Sequence, residues 1–217
     1  MSFLAMHMAN ELLSRSVALT FISAAALIVA AAGALARTRI GGPRVPLMGV
    51  LGAFVFAAQM INFPILPGTS GHLGGGVLLA IVLGPHAATI VMASILIVQC
   101  LIFQDGGLLA LGTNIFNLGV IPCYVGYGLF RLIAGRVPTA QRLYLAIFFA
   151  TMLGMLAGAA MVPVQTHLSG VLAVPFWYFL LVMLALHVII ALIEALITFV
   201  VVLYILRIRP DAIAIDL

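Results

Sequence analysis

Pro64-Ile65-Leu66-Pro67-Gly68-Thr69-Ser70-Gly71-His72-Leu73-Gly74-Gly75-Gly76 interrupts a chain that is otherwise close to continuous hydrocarbon. Proline and glycine at this density end regular structure and make turns. The break falls between two apolar runs and places a histidine where the chain can present it. The run after it, residues 73–83, is too short to cross a bilayer, which takes about 20 residues of helix. It can cross only if Gly71-His72 and Gly74-Gly75-Gly76 lie within the membrane depth. Irregular backbone is tolerated there only when it is buried in protein or lines a cavity. A functional site, if there is one, belongs at this break.

Composition agrees with that setting. Of 217 residues, 65% are hydrophobic and only 6% charged, with a mean hydropathy of +1.35. Soluble surfaces are typically about a quarter charged, so the solvent for most of this surface is lipid. Short alternating segments of the kind a barrel needs are absent, which leaves helices. The formal charge of +4 comes from arginines placed between apolar runs, and no lysine is present. That pattern belongs to membrane topology and excludes nucleic acid as a partner. Cys100 and Cys123 lie in or beside apolar runs and read as small buried residues. Glu11 and Arg15 precede a first apolar run too long for a signal core, so no cleavable signal peptide is expected.

The expected fold is an all-α membrane protein of about seven transmembrane helices, forming a single integral membrane domain over residues 1–217. The expected spans are residues 17–36, 45–63, 73–83, 87–103, 108–132, 143–164 and 175–206. Residues 1–14 form a short head, and 165–170 a polar connection. Gly154, Gly158 and Ala159 form a small-residue face suited to close helix packing. With seven spans, the arginine-bearing connections after the first, fifth and seventh share one side. The positive-inside rule makes that side the cytoplasm. The N-terminus is then outside and the C-terminus cytoplasmic, and His7, His72, Asp105 and His167 share the outer face. Trp177, Tyr178 and Tyr204 sit near the ends of the last span, as interface aromatics do.

Met6-His7 is the other half of the expected site. If the chain starts at Met6, its free amine, the amide nitrogen of His7 and one imidazole nitrogen close two fused chelate rings in a plane. A fourth in-plane nitrogen completes a square, the geometry of Ni(II) or Cu(II), with divalent cobalt a relative. The imidazole of His72 would supply it. Residues 1–5 would turn the Met6 amine into an amide, so Met6 is expected to be the true initiator, or the extension to be removed. The bland alternative is an exposed N-terminal His7 and a His72 that is a helix-capping loop residue.

Asn114 and Asn117, three apart on one helical face, are candidates to hydrogen-bond the His72 loop behind the ligands, or simply to join helices. Asp105 opens a glycine-rich turn, where it caps a helix or orients a ligand. Gln59 and Gln99 are candidates to line a cavity. His187 and Glu194 lie two turns apart within the last span, and ionisable groups there are functional hypotheses by default. They carry the alternative reading, an intramembrane metal-dependent enzyme. A passive pore would need polar faces on several helices, which the sequence does not offer. No Walker, HExxH or GxSxG motif is present, so ATP hydrolysis by this chain is not expected.

MHMANELLS, FPILPGTSGHLGGGVLLAIVLGP, LIVQCLIFQDGGLLALGTNIFNLGV and HVIIALIEALIT together resemble the CbiM/NikM family. These are membrane substrate-binding components of cobalt and nickel energy-coupling-factor transporters. The resemblance covers nearly the whole chain. It implies a seven-helix fold whose N-terminal segment (1–14) dips into the bundle toward the loop at 64–76. It implies metal ligation by Met6, His7 and His72, with Ni2+ or Co2+ bound as transported substrate and no resident cofactor. The implied partners are a transmembrane coupling protein, ABC ATPase subunits and a small additional membrane subunit. The implied location is the inner (plasma) membrane, and the use of cobalt would be cobalamin biosynthesis.

Overall fold

The computed structural model describes residues 8–37, 44–61, 63–66, 69–135 and 139–209, with 63–66 and 69–71 described by their backbone. Met6 and His7 lie outside the described residues. Long apolar runs with few breakers become helices because every backbone group must be paired internally in lipid. The helices are α1 (Arg15–Ala36), α2 (Arg44–Met60), α3 (Gly76–Leu83), α4 (Pro85–Ile102), α5 (Leu111–Ala134), α6 (Ala140–Leu168) and α7 (Phe176–Ile208). Five of them, α1 and α4 to α7, are long and apolar enough to cross a membrane. The helix α2 is shorter, at 17 residues.

Helix ends follow local chemistry. Ser14 Oγ accepts the Val17 N–H at 3.4 Å to open α1, and Thr139 Oγ1 accepts the Arg142 N–H at 3.3 Å to open α6. Both are N-caps of the ordinary hydroxyl kind. Pro85 opens α4, where its missing N–H has no cost.

Three features depart from the expectation. First, the turn-rich break is not wholly coil. Phe63–Leu66 (β1) and Thr69–Gly71 (β2) pair antiparallel, with Phe63 opposite Gly71 and Pro64 opposite Ser70. Second, Gln165–Leu168 is not a connection but the last turn of α6, which carries Pro163 inside it. Gln165 is fully buried, which a polar loop would not allow. Third, α5 is not a regular α-helix: Ile115–Val120 and Pro122–Gly126 run as π-helix. Such widened turns inside helices are frequent at functional sites.

The run expected as a span at 73–83 is shorter as a helix than expected and is not among the helices long enough to cross a membrane. Only Gly76–Leu83 is helical, and all eight of those residues are buried. At 1.5 Å per residue, α3 is about 12 Å long, less than half of a bilayer core. It packs on α4, α5, α6 and α7, and its Leu78, Leu79 and Ile81 belong to the main apolar cluster with Val55, Met92 and Ile147. The helix survives at this depth because protein, not lipid, surrounds it. The expected small-residue face on α6 is also present: a methyl group at Gly158 would collide with the backbone oxygen of Asn117 on α5. Trp177, Tyr178 and Tyr204 are exposed at the two ends of α7.

Candidate metal site

The turn of residues 72–75 joins β2 to α3. Gly75 takes φ +78°, a left-handed conformation that glycine adopts without steric cost, and this aims the N–H groups of Gly74 and Gly75 at one point. Glu194 of α7 fills that point. Its Oε2 accepts the Gly74 N–H at 2.6 Å and its Oε1 accepts the Gly75 N–H at 3.0 Å. Consecutive N–H groups in such a turn make an anion-binding nest. The carboxylate also stands at the N-terminus of α3, where the helix dipole favours negative charge. From the other side, Gln59 Nε2 of α2 donates to Gly74 O at 2.6 Å, and Gln99 Nε2 of α4 donates to Gln59 Oε1 at 2.9 Å. Three helices therefore grip one turn.

His72 leads into this turn and is 4% exposed. Its Nδ1 lies 2.7 Å from the Leu73 carbonyl oxygen. A carbonyl can only accept, so Nδ1 carries the proton and Nε2 is the ring's acceptor nitrogen. A ligating histidine is normally prepared in just this manner, by giving its other N–H to a carbonyl or carboxylate.

The head of the chain docks into the bundle beside this turn. Met8 is 4% exposed and packs with Leu13, Ala18 and Ala110. Asn114 Oδ1 accepts the Met8 N–H at 2.9 Å, and Asn114 Nδ2 donates to Met8 O at 3.3 Å. That N–H belongs to the peptide joining His7 to Met8. Asn10 Oδ1 accepts from the Leu109 and Ala110 N–H groups at 3.0 and 3.2 Å, so the head also ties down the turn that leads into α5. Met8 and Gly74 line one cavity of about 60 Å³, together with Asn114, Met155, His187 and Glu194.

The other expected residues distribute as follows. Asn114 bonds to the head rather than to the His72 loop. Asn117 also lines the cavity, but its amide exchanges two bonds of 2.8 Å with Gln165 of α6. The widened turn at Ile115–Val120 separates the two asparagines in direction. Asp105 sits in the turn after α4, where its N–H bonds to Gln99 O at 3.1 Å. His187 Nδ1 lies 2.8 Å from Met183 O. Both oxygens of Glu194 accept from the turn, so the His187/Glu194 pair is engaged in separate tasks rather than poised against each other. Among the described residues, no group of three or more histidine, cysteine or acidic side chains stands close enough to hold a metal.

The description of the CbiM family, the cobalt uptake substrate-specific transmembrane region, matches residues 7–212. The chain belongs to the CbiM family. Relatives of this CbiM-family chain carry consistent names. It is 35% identical over 206 residues to a protein of Haloquadratum walsbyi named for metal transport, covering 95% of this chain and 92% of that one. It is 40% identical over 167 residues to a protein of Archaeoglobus fulgidus named as a fused nickel transport protein, NikMN, covering 77% of this chain and 55% of that one. Its fold matches the crystal structure of a truncated transition metal transporter at TM-score 0.83 and 31% identity, over 93% of this chain and 99% of the other.

Proposed function

We propose that the chain is the substrate-capture subunit of an energy-coupling-factor transporter for Co2+ or Ni2+. The metal is held by the Met6 amine, the His7 amide and ring, and the His72 ring. The observation that carries this reading is the cavity shared by Met8 and Gly74. It brings the residue after His7 within reach of the turn that bears His72, although the two histidines are 65 positions apart in the sequence. Asn114 fixes the peptide at one end, and the nest on Glu194 fixes the turn at the other. The names of the relatives support the choice of metals.

In this reading, α2 and the broken hairpin–α3 segment complete seven membrane-crossing elements. The N-terminus faces out, and the C-terminus lies at the cytoplasmic face of the inner membrane. The chain captures its cargo and does not hydrolyse nucleotide; a membrane coupling protein and ATPases drive transport. The fused name of the NikMN relative supports a further small membrane subunit.

The deciding experiment measures bound metal by inductively coupled plasma mass spectrometry together with the intact mass of the chain. One nickel or cobalt per chain starting at Met6, lost in His72→Ala, is the expected result. A chain that begins at Met6 and retains no metal after loading would sink the proposal.

A further inference from the structure

The polar groups around the turn ask for an explanation beyond ligation. A glutamate in the last helix of a membrane bundle is costly, and this one is 3% exposed. It does not reach a cation or another side chain through the bonds described; both oxygens go to the backbone of Gly74 and Gly75. The carbonyl of Gly74 is taken by Gln59, which Gln99 backs in turn. Both peptide groups flanking the Gly74 Cα are thus held from opposite sides, two residues beyond His72. The ring of His72 is itself tied to the Leu73 carbonyl, which belongs to the same peptide as the Gly74 N–H that Glu194 accepts. One peptide unit, Leu73–Gly74, therefore carries both the hydrogen bond that orients the imidazole and the hydrogen bond to the carboxylate.

We propose that Glu194 is the positioning residue of the metal site, setting the direction of the His72 ring through the Leu73–Gly74 peptide, with Gln59 and Gln99 as its counter-brace. The inference rests on the reading of His72 as a ligand. The chain of contacts runs from α7 to the metal: carboxylate, peptide N–H, the same peptide's carbonyl, Nδ1–H, and Nε2. Accepting the Gly74 N–H polarises that peptide, makes its carbonyl a stronger acceptor, and so raises the donor strength of Nε2. Outer partners of this kind are worth about 10–100-fold in metal affinity.

The test is Glu194→Gln. Glutamine has nearly the same shape but a single acceptor oxygen, so its NH2 group meets one of the two N–H donors. The turn must shift to relieve that clash. The expected result is a fall of roughly 10–100-fold in Ni2+ affinity, with a displaced ligand-field absorption band in the protein that still binds. A role confined to holding the fold would lower thermal stability and leave that band in place. Gly74→Ala is the second variant. Its methyl carbon would lie 3.1 Å from Glu194 Oε2, which displaces the carboxylate by a few tenths of an ångström while removing no hydrogen-bonding group. It should move the band in the same direction with a smaller loss of affinity. A folded Glu194→Gln with unchanged affinity and band overturns the proposal; if that variant does not fold, an unchanged band in Gly74→Ala overturns it. His72→Ala in the same preparation separates the two levels. Metal retained there overturns the ligand set itself, whereas metal lost there beside an unaltered Glu194→Gln overturns only the positioning role.

Discussion

Asn114 holds Met8 by both ends of its side-chain amide, accepting from the Met8 N–H at 2.9 Å and donating to the Met8 carbonyl at 3.3 Å. The pairing imitates one rung of a β-ladder and binds a backbone rather than a particular side chain. Asn114→Leu removes both bonds and leaves the buried Met8 N–H without a partner. Each such orphan costs about 1–3 kcal/mol. The head should lose its seat, and Ni2+ binding should weaken by at least about tenfold. Titration calorimetry on the detergent-solubilised protein reads this directly, and equal affinity would remove the docked head from the site.

Metal binding should fall in acid. Amine, amide and imidazole nitrogens bind a metal through lone pairs that protons also claim, so each proton bound displaces metal. Imidazoles ordinarily titrate near about pH 6.5. Occupancy at fixed Ni2+ should therefore drop as pH falls from about 7.5 to about 5. A flat profile across that window would speak against histidine ligation.

Asn117 and Gln165 satisfy one another and nothing else in the described hydrogen bonds involves their side-chain amides. Either single replacement by leucine strands a buried amide and should cost about 1–3 kcal/mol. Replacing both should cost less than the worse single change, because no polar group is left alone. Thermal unfolding of the two singles and the double would show this; additive losses would contradict the closed pair.

Gly158 should tolerate no side chain, since its methyl would meet the Asn117 carbonyl oxygen. Gly158→Ala should destabilise by about 1–3 kcal/mol, the usual cost of forcing carbon into a packed interior. Because Asn117 belongs to the π stretch that lines the cavity, the same change should also weaken metal binding. A melt identical to wild type would show that α5 and α6 can separate at this point.

Orientation is open to labelling. With Cys100 and Cys123 replaced by serine, Ser169→Cys at the end of α6 should react with an impermeant maleimide from outside intact cells. Thr139→Cys at its start should react only after permeabilisation. The reverse pattern would invert the topology read from the arginines.

Much of this fold was legible because hydropathy speaks for a whole helix at once. Spans expected at 17–36, 87–103 and 108–132 correspond to Arg15–Ala36, Pro85–Ile102 and Leu111–Ala134. His72 was legible because glycine and proline crowd around it. The rest depends on partners far along the chain. No spacing rule connects Glu194 to Gly74, 120 residues earlier, and a lone glutamate in an apolar helix says only that some partner exists. Gln165 looked like loop because a glutamine near a proline usually is; Asn117, 48 residues away, lets it stay inside a helix. The hairpin at Phe63–Gly71 was hidden because backbone pairing leaves no side-chain signature in so short a stretch. Asn10 carries no signal of its own, since the turn it ties down lies 100 residues downstream.

The half-length helix Gly76–Leu83 has a consequence for how the protein is made. A segment of about 12 Å cannot be released alone into a bilayer during synthesis, and the bare N–H groups of Gly74 and Gly75 would face hydrocarbon beside it. Their acceptor on Glu194 emerges from the ribosome only with the final helix. Until then the turn that carries His72 must wait, shielded by neighbours or still at the insertion machinery. A nascent chain stopped short of Glu194 therefore leaves the Gly74 and Gly75 N–H groups without the carboxylate that accepts them in the finished fold.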